Sequence, residues 1–258
     1  MSKHKITQAM ILGAGLGTRL RPITDTIPKV MVPIATGKPL LAHTIEWMRE
    51  QGVNRFIINI HYLPEVITSY FGDGRKWGVN ITYSDETKQL LDTGGAIKKA
   101  QPLLDDQFFF LYGDELNFFN YSNFGEEHIK QGGIGSIVLK EEIPQDGEVA
   151  KFDRASKKIV QWHTRPHHIA QLDDSLLVNA GIYAFSKKIL DYIPPAAPIK
   201  LDGEVIPRAF ADGAVFYAFP TTEPILDIGK PEKYERAMEY YEKKIRKSVA
   251  DPWGTISI

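Results

Sequence analysis

The sequence predicts an α/β protein built on a Rossmann-like, mostly parallel sheet that is flanked by helices. Short apolar runs of strand length, rich in β-branched and aromatic residues, alternate with stretches of helical periodicity through the first half of the chain. The runs are almost continuously apolar, which is typical of parallel strands covered on both faces. Strand and helix in regular alternation therefore indicate a covered, mostly parallel sheet.

The first half supplies the strands of that sheet and the helices between them. Strands are predicted at residues 9–12, 56–60, 81–83, 108–112 and 134–139. Helices are predicted at residues 40–51, 64–71 and 95–104. In the first of these helices the apolar side chains recur at helical spacing, so that one face is suited to burial against the sheet.

The second half predicts a smaller mixed α+β lobe, because its strands are separated by turns rather than by helices. Strands are predicted at residues 149–153, 159–163 and 176–185, and a helix at about 231–249. The sequence shows no internal repeat and no low-complexity linker. We therefore expect a single domain over residues 1–258, with one half at about 1–140, the smaller lobe at about 141–230, and a C-terminal helix and tail at about 231–258.

Length, composition and charge exclude several classes of protein. The chain has 258 residues, of which 43% are hydrophobic and 24% charged, as in ordinary globular proteins. The formal net charge is -1 at pH 7, so no overall field attracts nucleic acid. Cysteine is absent, which excludes disulfides, thiolate metal ligands and cysteine nucleophiles. Because no membrane-spanning apolar run and no secretory signal is visible, we expect a cytoplasmic protein without a membrane partner.

A glycine-rich loop directly follows the first predicted strand, in the segment Leu12-Gly13-Ala14-Gly15-Leu16-Gly17-Thr18-Arg19-Leu20. In open parallel sheets, ligands bind beyond the carboxyl ends of the strands, and glycines there let backbone N–H groups approach a phosphate. Threonine stands where a dinucleotide fingerprint needs its third glycine, and no Gly-Lys-Ser/Thr follows, so neither that motif nor a P-loop fits. Taken alone, the loop would also suit a tight turn.

Two cations near the loop favour a phosphate site over a simple turn. Arg19 ends the loop, and Lys29 follows Pro28 in a segment whose path is restricted by prolines. Separately, each cation could be a solvated surface charge. Together with the glycines, they predict a clamp for a triphosphate.

Five segments, in order along the chain, resemble the signature of the sugar-1-phosphate nucleotidyltransferases, also called nucleotide-sugar pyrophosphorylases. They are residues 13–22 with 28–31, Glu86 with 91–96, 112–114, 178–183 and 226–231. The resemblance extends over most of the chain. It implies an enzyme of the nucleotidyltransferase class that joins a nucleoside triphosphate to a sugar 1-phosphate and releases pyrophosphate, with Mg²⁺ as cofactor. The resemblance leaves open whether the protein forms a homo-oligomer.

The resemblance also implies a role for each matching residue. By this resemblance Arg19 contacts the β and γ phosphates and Lys29 lies near the α-phosphate, and these two residues are the catalytic cations. Asp114 and Asp227 would share the metal ion, since carboxylates at strand ends are suited to Mg²⁺. The residues implied in nucleotide binding are Leu12, Gly13, Ala14, Gly15, Gly17, Thr18, Glu86, Thr93, Gly94 and Gly95. Those implied in sugar-phosphate binding are Gly147, Arg165, Asn179 and Gly181.

Glu86 carries the expectation about the base. A carboxylate can accept from the N1–H and the exocyclic amine of guanine, whereas thymine and uracil offer one donor on their pairing edge. The alternative is that Glu86 is a solvated loop charge. A contact with the base would favour GTP, and the resemblance implies mannose or heptose 1-phosphate as the acceptor, with a uridylyl- or thymidylyltransferase as the alternative. Arg165 stands where relatives carry a lysine, and its guanidinium could bind the sugar phosphate through two hydrogen bonds.

Other classes of function are weighed against this one. A catalytically silent nucleotide-sugar sensor would keep the fold, but the complete set of predicted cations and carboxylates favours catalysis. A dinucleotide-dependent oxidoreductase is disfavoured by the missing third glycine. His163, His167 and His168 have no carboxylate close in sequence, so their spacing does not predict a zinc site.

Overall fold

Four parallel strands form the centre of the structure, a computed structural model that describes residues 5–34, 37–143, 147–195 and 197–250. The strands are Gln8–Leu12 (β1), Arg55–Ile60 (β4), Asn80–Asp85 (β5) and Gln107–Tyr112 (β6). Their order across the sheet is β5-β4-β1-β6, and each neighbouring pair is parallel. Four of the strands predicted in the first half are therefore confirmed, with small extensions at their ends.

Helices cover both faces of these strands. Along β1 the side chains alternate between two cores, so that Ala9 and Ile11 face one side and Met10 the other. The first core is closed by Leu40–Glu50 (α1), Pro64–Phe71 (α2) and Tyr121–Gln131 (α4), and the second by Asp92–Lys99 (α3) and Ile206–Ala211 (α5). The predicted α/β class is confirmed, since the central strands are covered on both sides.

Helix α3 is shifted relative to its predicted range of residues 95–104. It begins at Asp92 and ends at Lys99, and a turn follows it. Pro102 explains the early end, because a proline lacks the N–H that a helix needs and disfavours helical geometry in the residue before it. The helices at residues 40–51 and 64–71 are confirmed to within one residue.

The strands of the second half continue the same sheet. They are Gly135–Lys140 (β8), Val149–Phe152 (β9), Ile159–His163 (β10), Leu176–Ser186 (β11) and Phe216–Thr221 (β12). Strand β11 pairs antiparallel with β6, β8 and β9, while β10 extends the edge and β12 lies parallel to β8. The expected turn-connected strands are present, and they bring the second half against the carboxyl ends of the central strands.

Two small ribbons lie outside the main sheet. Pro33–Ile34 (β2) pairs with Lys38–Pro39 (β3), and Glu115–Asn117 (β7) pairs antiparallel with Ile225–Asp227 (β13). The sequence did not predict them, because two or three residues are too few to show a period. In the second ribbon Asp227 stands opposite Glu115, which brings two distant acidic segments together.

The C-terminal helix, Pro231–Ala250 (α6), supports the segments that carry the predicted site. Its buried residues Ala237 and Tyr241 pack in one cluster with Leu20, Leu116 and Ile228. Leu20 follows the glycine loop, Leu116 follows β6, and Ile228 follows β13. Burial of one such side chain contributes about 1.5–3 kcal/mol. The tail after residue 250 lies outside the described residues. Within the described part of the chain, no helix has both the length and the apolar character needed to cross a membrane.

Candidate active site

The glycine-rich loop is fixed at both of its ends. At the start, the N–H of Gly13 donates to Oδ1 of Asn59 at 2.7 Å, a residue of the neighbouring strand β4. At the end, Gly17 has a φ of 63°, and its carbonyl accepts a 2.7 Å hydrogen bond from the Thr24 hydroxyl. The exposed middle of the loop, at Gly15, is thus held open to a ligand at the carboxyl end of β1.

Lys29, Asp114 and Asp227 form one ionic cluster. Lys29 is only 8% exposed, and its Nζ donates to Oδ2 of Asp114. The same Nζ lies 3.8 Å from Oδ1 of Asp227, whose other oxygen is 3.3 Å from Nζ of Lys233. Asp114 follows β6 and Asp227 ends β13. The structure therefore brings together the predicted catalytic lysine and both predicted metal ligands.

Arg19 reaches the same cluster, as the surroundings of Gly229 show. A Cβ atom placed on Gly229 would lie 3.1 Å from Nη2 of Arg19, 3.0 Å from Nζ of Lys29 and 2.7 Å from Oδ1 of Asp227. Any side chain at this position would push these groups apart. The backbone N–H of this residue also donates to Oδ1 of Asp227 at 2.6 Å, so the missing side chain permits the convergence and the backbone holds Asp227 in place.

The charges of the cluster act on Asp227. Burial alone would raise the pKa of this carboxyl, but Lys29, the Gly229 amide and Lys233 outweigh it and hold the pKa below its usual range. Asp227 is thus kept ionised within the cluster.

Glu115 adds a third, buried carboxylate beside Asp114 and Asp227. Burial, together with Asp114 and Asp227, raises its pKa well above the usual range against the opposing charge of Lys140. Its Oε2 is buried and has no hydrogen-bond partner among the described residues. Gly181, at a bulge of β11 with a φ of 70°, makes room for it, since a Cβ there would lie 3.0 Å from Glu115 Oε1.

A cavity of about 340 Å³ opens between the glycine loop and the start of α3. Of the residues predicted to bind the nucleotide, Leu12, Ala14, Gly15 and Thr93 line it, together with Lys29 and Asp114 at the ionic cluster. Asn59, Leu90, Asp92 and Tyr112 also line it and were missed by the sequence analysis. Asp92 and Tyr112 belong to the matching segments 91–96 and 112–114 but were given no role there, whereas Asn59 and Leu90 reach the cavity through packing that no local motif reveals.

Glu86 lies behind this cavity. It is fully buried, which excludes the alternative of a solvated loop charge. Its Oε1 accepts from Nδ2 of Asn59 at 2.9 Å and its Oε2 from the Leu91 N–H at 3.0 Å. Because Asn59 in turn holds Gly13, the carboxylate fixes the position of the glycine loop. A direct contact between Glu86 and the base stays a prediction.

We expect Glu86→Gln to weaken the binding of every nucleoside triphosphate by a similar factor. The new side-chain NH₂ would face either the Leu91 N–H or the Asn59 NH₂, leaving a buried donor unpaired at a cost of about 1–3 kcal/mol. Urea unfolding should show this loss, and KM should rise alike for GTP and UTP. Unchanged stability combined with an altered ratio of the two KM values would restore Glu86 as a reader of the base.

Gly94 and Gly95 dock α3 against the chain that follows β11. The Gly94 N–H donates to the Ile199 carbonyl at 2.8 Å, and a Cβ on Gly95 would lie 2.6 Å from the Ala197 carbonyl oxygen. The Thr93 hydroxyl accepts from the Leu201 N–H at 2.7 Å. These contacts explain why the helix begins with small residues. A role of the two glycines in nucleotide binding stays a prediction, as it does for Thr18.

A second cavity, of about 260 Å³, lies on the other side of Asp114 and Asp227. All four residues predicted to bind the sugar phosphate line it: Gly147, Arg165, Asn179 and Gly181. Arg19 lines it as well. Lys140, Glu148, Lys230 and Lys233 also line it and were not singled out from the sequence. The ionic cluster is therefore shared by two adjoining cavities.

Arg165 is held in this second cavity by a buried acid. Its Nε lies 3.1 Å from Oε1 of Glu148, and its Nη2 lies 3.4 Å from Oε2 of the same residue. Glu148 is 8% exposed. Glu148 therefore orients the planar guanidinium of Arg165 within this cavity.

A buried network fixes Asn179. Its Nδ2 donates to the Tyr183 hydroxyl at 2.6 Å, and that hydroxyl donates to Oδ1 of Asp202 at 2.6 Å. The Tyr112 hydroxyl donates to the other oxygen of Asp202. Burial, aided by Glu148, raises the pKa of Asp202 to about 7. The network links the lining of the nucleotide cavity, at Tyr112, to the lining of the second cavity.

We expect Asp202 to make the protein less stable as the pH rises from about 4 to about 7. The folded state keeps a proton that the unfolded chain has released, so the free energy of unfolding falls over this range. A shift from 3.8 to about 7 sets the fall at up to about 4 kcal/mol. Asp202→Asn should remove this fall in urea unfolding at pH 5 and pH 7.5, while Asp174→Asn, on the surface, should retain it. Equal slopes for all three proteins would contradict the assignment.

A glycine loop, two cations and paired carboxylates converge at the carboxyl edge of a parallel sheet, where ligands of such sheets bind, and this arrangement suits a phosphate-bearing ligand. The family model described as nucleotidyl transferase matches residues 8–244. The chain belongs to this family. The resemblance read from the sequence is thereby confirmed.

Curated relatives and solved structures agree with that membership. A UTP–glucose-1-phosphate uridylyltransferase of Synechocystis sp. is 36% identical, covering 95% of this chain and 66% of the relative. A probable mannose-1-phosphate guanylyltransferase 3 of Oryza sativa subsp. japonica is 32% identical, covering 96% and 68%. This chain thus spans about two thirds of the length of these relatives. The crystal structure of HddC from Yersinia pseudotuberculosis is 28% identical, with a TM-score of 0.76, covering 92% of this chain and 100% of that one.

Proposed function

We propose that the chain transfers a guanylyl group from GTP to mannose 1-phosphate or a heptose 1-phosphate, with release of pyrophosphate. The observation that carries the proposal is the meeting of Arg19, Lys29, Asp114 and Asp227 between two adjoining cavities. One cavity adjoins the glycine loop and accepts the nucleotide. The other contains Arg165 and Asn179 and accepts the sugar phosphate.

The reaction brings two anions together, and the cations of the site offset their repulsion. Two unit charges at 4 Å repel by about 4 kcal/mol at an effective dielectric constant of 20. Lys29 stabilises the charge that develops on the α-phosphate, and Arg19 stabilises the departing pyrophosphate. Positioning the two substrates in line supplies the remainder, so no covalent intermediate with the protein is required.

The two aspartates fit a magnesium ion. Their donor set is hard carboxylate oxygen, which Mg²⁺ prefers, and they already converge on a cation, the ammonium of Lys29. Bound Mg²⁺ would supply positive charge to the phosphate oxygens of the nucleotide. Lys29 is then free to turn from Asp114 toward the α-phosphate, a movement within the reach of its flexible side chain.

The sugar phosphate is held by Arg165 and Asn179. Arg165, oriented by Glu148, attracts the phosphate of the acceptor through its positive charge. Asn179 is fixed through Tyr183 and presents its amide to the sugar, while Gly147 and Gly181 keep the cavity open. These roles orient the attacking phosphate oxygen toward the ionic cluster.

Two observations support GTP as the nucleotide. Several curated relatives are named mannose-1-phosphate guanylyltransferases, and a second HddC structure is a complex with GMP-PN. The second candidate function is uridylyl transfer to glucose 1-phosphate, which is favoured by the 36% identity to the Synechocystis enzyme over 95% of the chain. The cytoplasmic location and a homo-oligomeric state stay predictions.

The test is pyrophosphate release measured for each nucleoside triphosphate against a panel of sugar 1-phosphates, with Mg²⁺ present. We expect the highest kcat/KM for GTP with mannose or heptose 1-phosphate. A maximum for UTP with glucose 1-phosphate would establish the second candidate. Absence of pyrophosphate with every pair would contradict catalysis and favour a nucleotide-sugar sensor.

A further inference from the structure

Asp92 occupies an unusual place at the nucleotide cavity. It is the first residue of α3, it lines the cavity, and its φ of 58° lies in the left-handed region that favours glycine. Aspartate is among the few other residues that tolerate this conformation. The fold thus accepts a less favoured residue here, and its side chain is a carboxylate at the wall of a substrate cavity.

The carboxylate of Asp92 is only partly engaged by the protein. Its Oδ1 accepts from the Thr93 N–H at 2.7 Å, and the described residues offer it no other hydrogen bond or ion pair. The neighbouring polar groups are more fully bonded: Asn59 is held by Gly13 and Glu86, and Glu86 by Asn59 and Leu91. At the α3 wall of the cavity, the Asp92 carboxylate therefore keeps acceptor capacity for a ligand.

Electrostatics decides which part of a nucleotide lies against Asp92. The phosphates are attracted to Lys29 and repelled by an unpaired carboxylate. The base suits the remaining lining, because Leu12 and Leu90 offer apolar surface to its ring. A carboxylate that accepts, but cannot donate, requires N–H groups on the edge of that base.

We propose that Asp92 reads the base, accepting from the N1–H and the 2-amino group of guanine, and so confers a preference for GTP. Guanine presents these two donors side by side. Uracil and thymine present one N–H between two carbonyl oxygens, and adenine and cytosine place an amine beside an acceptor nitrogen. Hydrogen bonds to a charged acceptor are about twice as strong as neutral ones, so the pairing favours guanine strongly. The inference rests on the proposed guanylyl transfer and names the residue that sets its specificity.

The test is equilibrium binding of GTP, ITP and UTP by calorimetry, because ITP differs from GTP only in lacking the 2-amino group. The unaltered protein should bind GTP about 10- to 100-fold more tightly than ITP or UTP, equivalent to about 1.4–2.8 kcal/mol. Asp92→Asn should bring the three dissociation constants to within about 3-fold of one another. Asp92→Gly should do the same, and it suits the left-handed backbone better, so misfolding cannot explain the result. Asp153→Asn, an exposed acid that also bonds a nearby N–H, is the matched control and should keep the GTP preference.

Each other outcome separates the two proposals. A GTP preference over ITP that survives in Asp92→Asn overturns the role of Asp92. So does a loss of affinity that is equal for all three nucleotides, or a wild-type protein that binds UTP as tightly as GTP. If Asp92 instead held the ribose, 2′-deoxy-GTP would bind more weakly than GTP while ITP bound as tightly as GTP, and the proposal would be overturned. Binding that follows the expectation without any pyrophosphate release would keep Asp92 as the base reader and overturn only the proposed catalysis.

Discussion

Replacement of Lys29 by methionine is expected to lower kcat by about 10²–10³-fold while the protein stays folded. The loss corresponds to removal of one preorganised charge from the transition state. Methionine fills the buried space of the lysine stem, and bound Mg²⁺ would still neutralise Asp114 and Asp227. KM for the sugar phosphate should change little, because Lys29 lines only the nucleotide cavity.

The matched control for this prediction is Lys38→Met. Lys38 pairs with Glu46 at 2.7 Å but is partly exposed and lines neither cavity. Exposed ion pairs contribute about 0–1 kcal/mol, so this variant should retain wild-type turnover. Rates should be taken from single-turnover pyrophosphate release, which reports the chemical step. A Lys29→Met enzyme within about 3-fold of the wild-type rate would remove the lysine from the mechanism.

Asp227→Asn is expected to lower activity by at least about 10²-fold and to raise the Mg²⁺ concentration needed for half-maximal rate. A carboxylate that loses its charge binds a hard cation poorly, and metal stabilisation of phosphate oxygens is worth several kcal/mol. The asparagine should keep the hydrogen bond from the Gly229 N–H, so the loop after β13 should hold its place. The measurement is a Mg²⁺ titration of the initial rate, with circular dichroism to verify the fold.

Asp174→Asn provides the comparison for the magnesium titration. Asp174 pairs with Arg154 at 3.0 Å on the surface and lines neither cavity, so the substitution removes a carboxylate charge outside the site. Its Mg²⁺ dependence should match that of the wild type. An Asp227→Asn enzyme whose half-maximal Mg²⁺ concentration also matches the wild type would refute the paired-carboxylate site.

The sequence predicted the parts of the fold that carry a long pattern. β-branched and aromatic runs marked β1, β4 and β6, and helical spacing marked α1 and α2, because burial on both faces demands long apolar segments. The ribbon of β7 and β13 was not predicted, since its strands span three residues each. That ribbon is nevertheless what places Asp227 beside Asp114.

The candidate site was predicted where a motif is local and missed where it depends on packing. Arg19 and Lys29 follow the glycine loop closely in sequence, so their proximity at the site could be predicted directly. Asn59 meets Gly13 only because β1 and β4 are neighbours, and Glu148 meets Arg165 only because β9 and β10 pair. No spacing in the sequence encodes such contacts.

The most direct test is a crystal structure with a non-hydrolysable GTP analogue and Mn²⁺ in place of Mg²⁺, located by its anomalous signal. We expect the metal between the carboxylates of Asp114 and Asp227, with Nζ of Lys29 within about 3 Å of an α-phosphate oxygen. The guanine edge should face Asp92. A metal bound elsewhere, with the phosphates directed away from Arg19 and Lys29, would contradict the account.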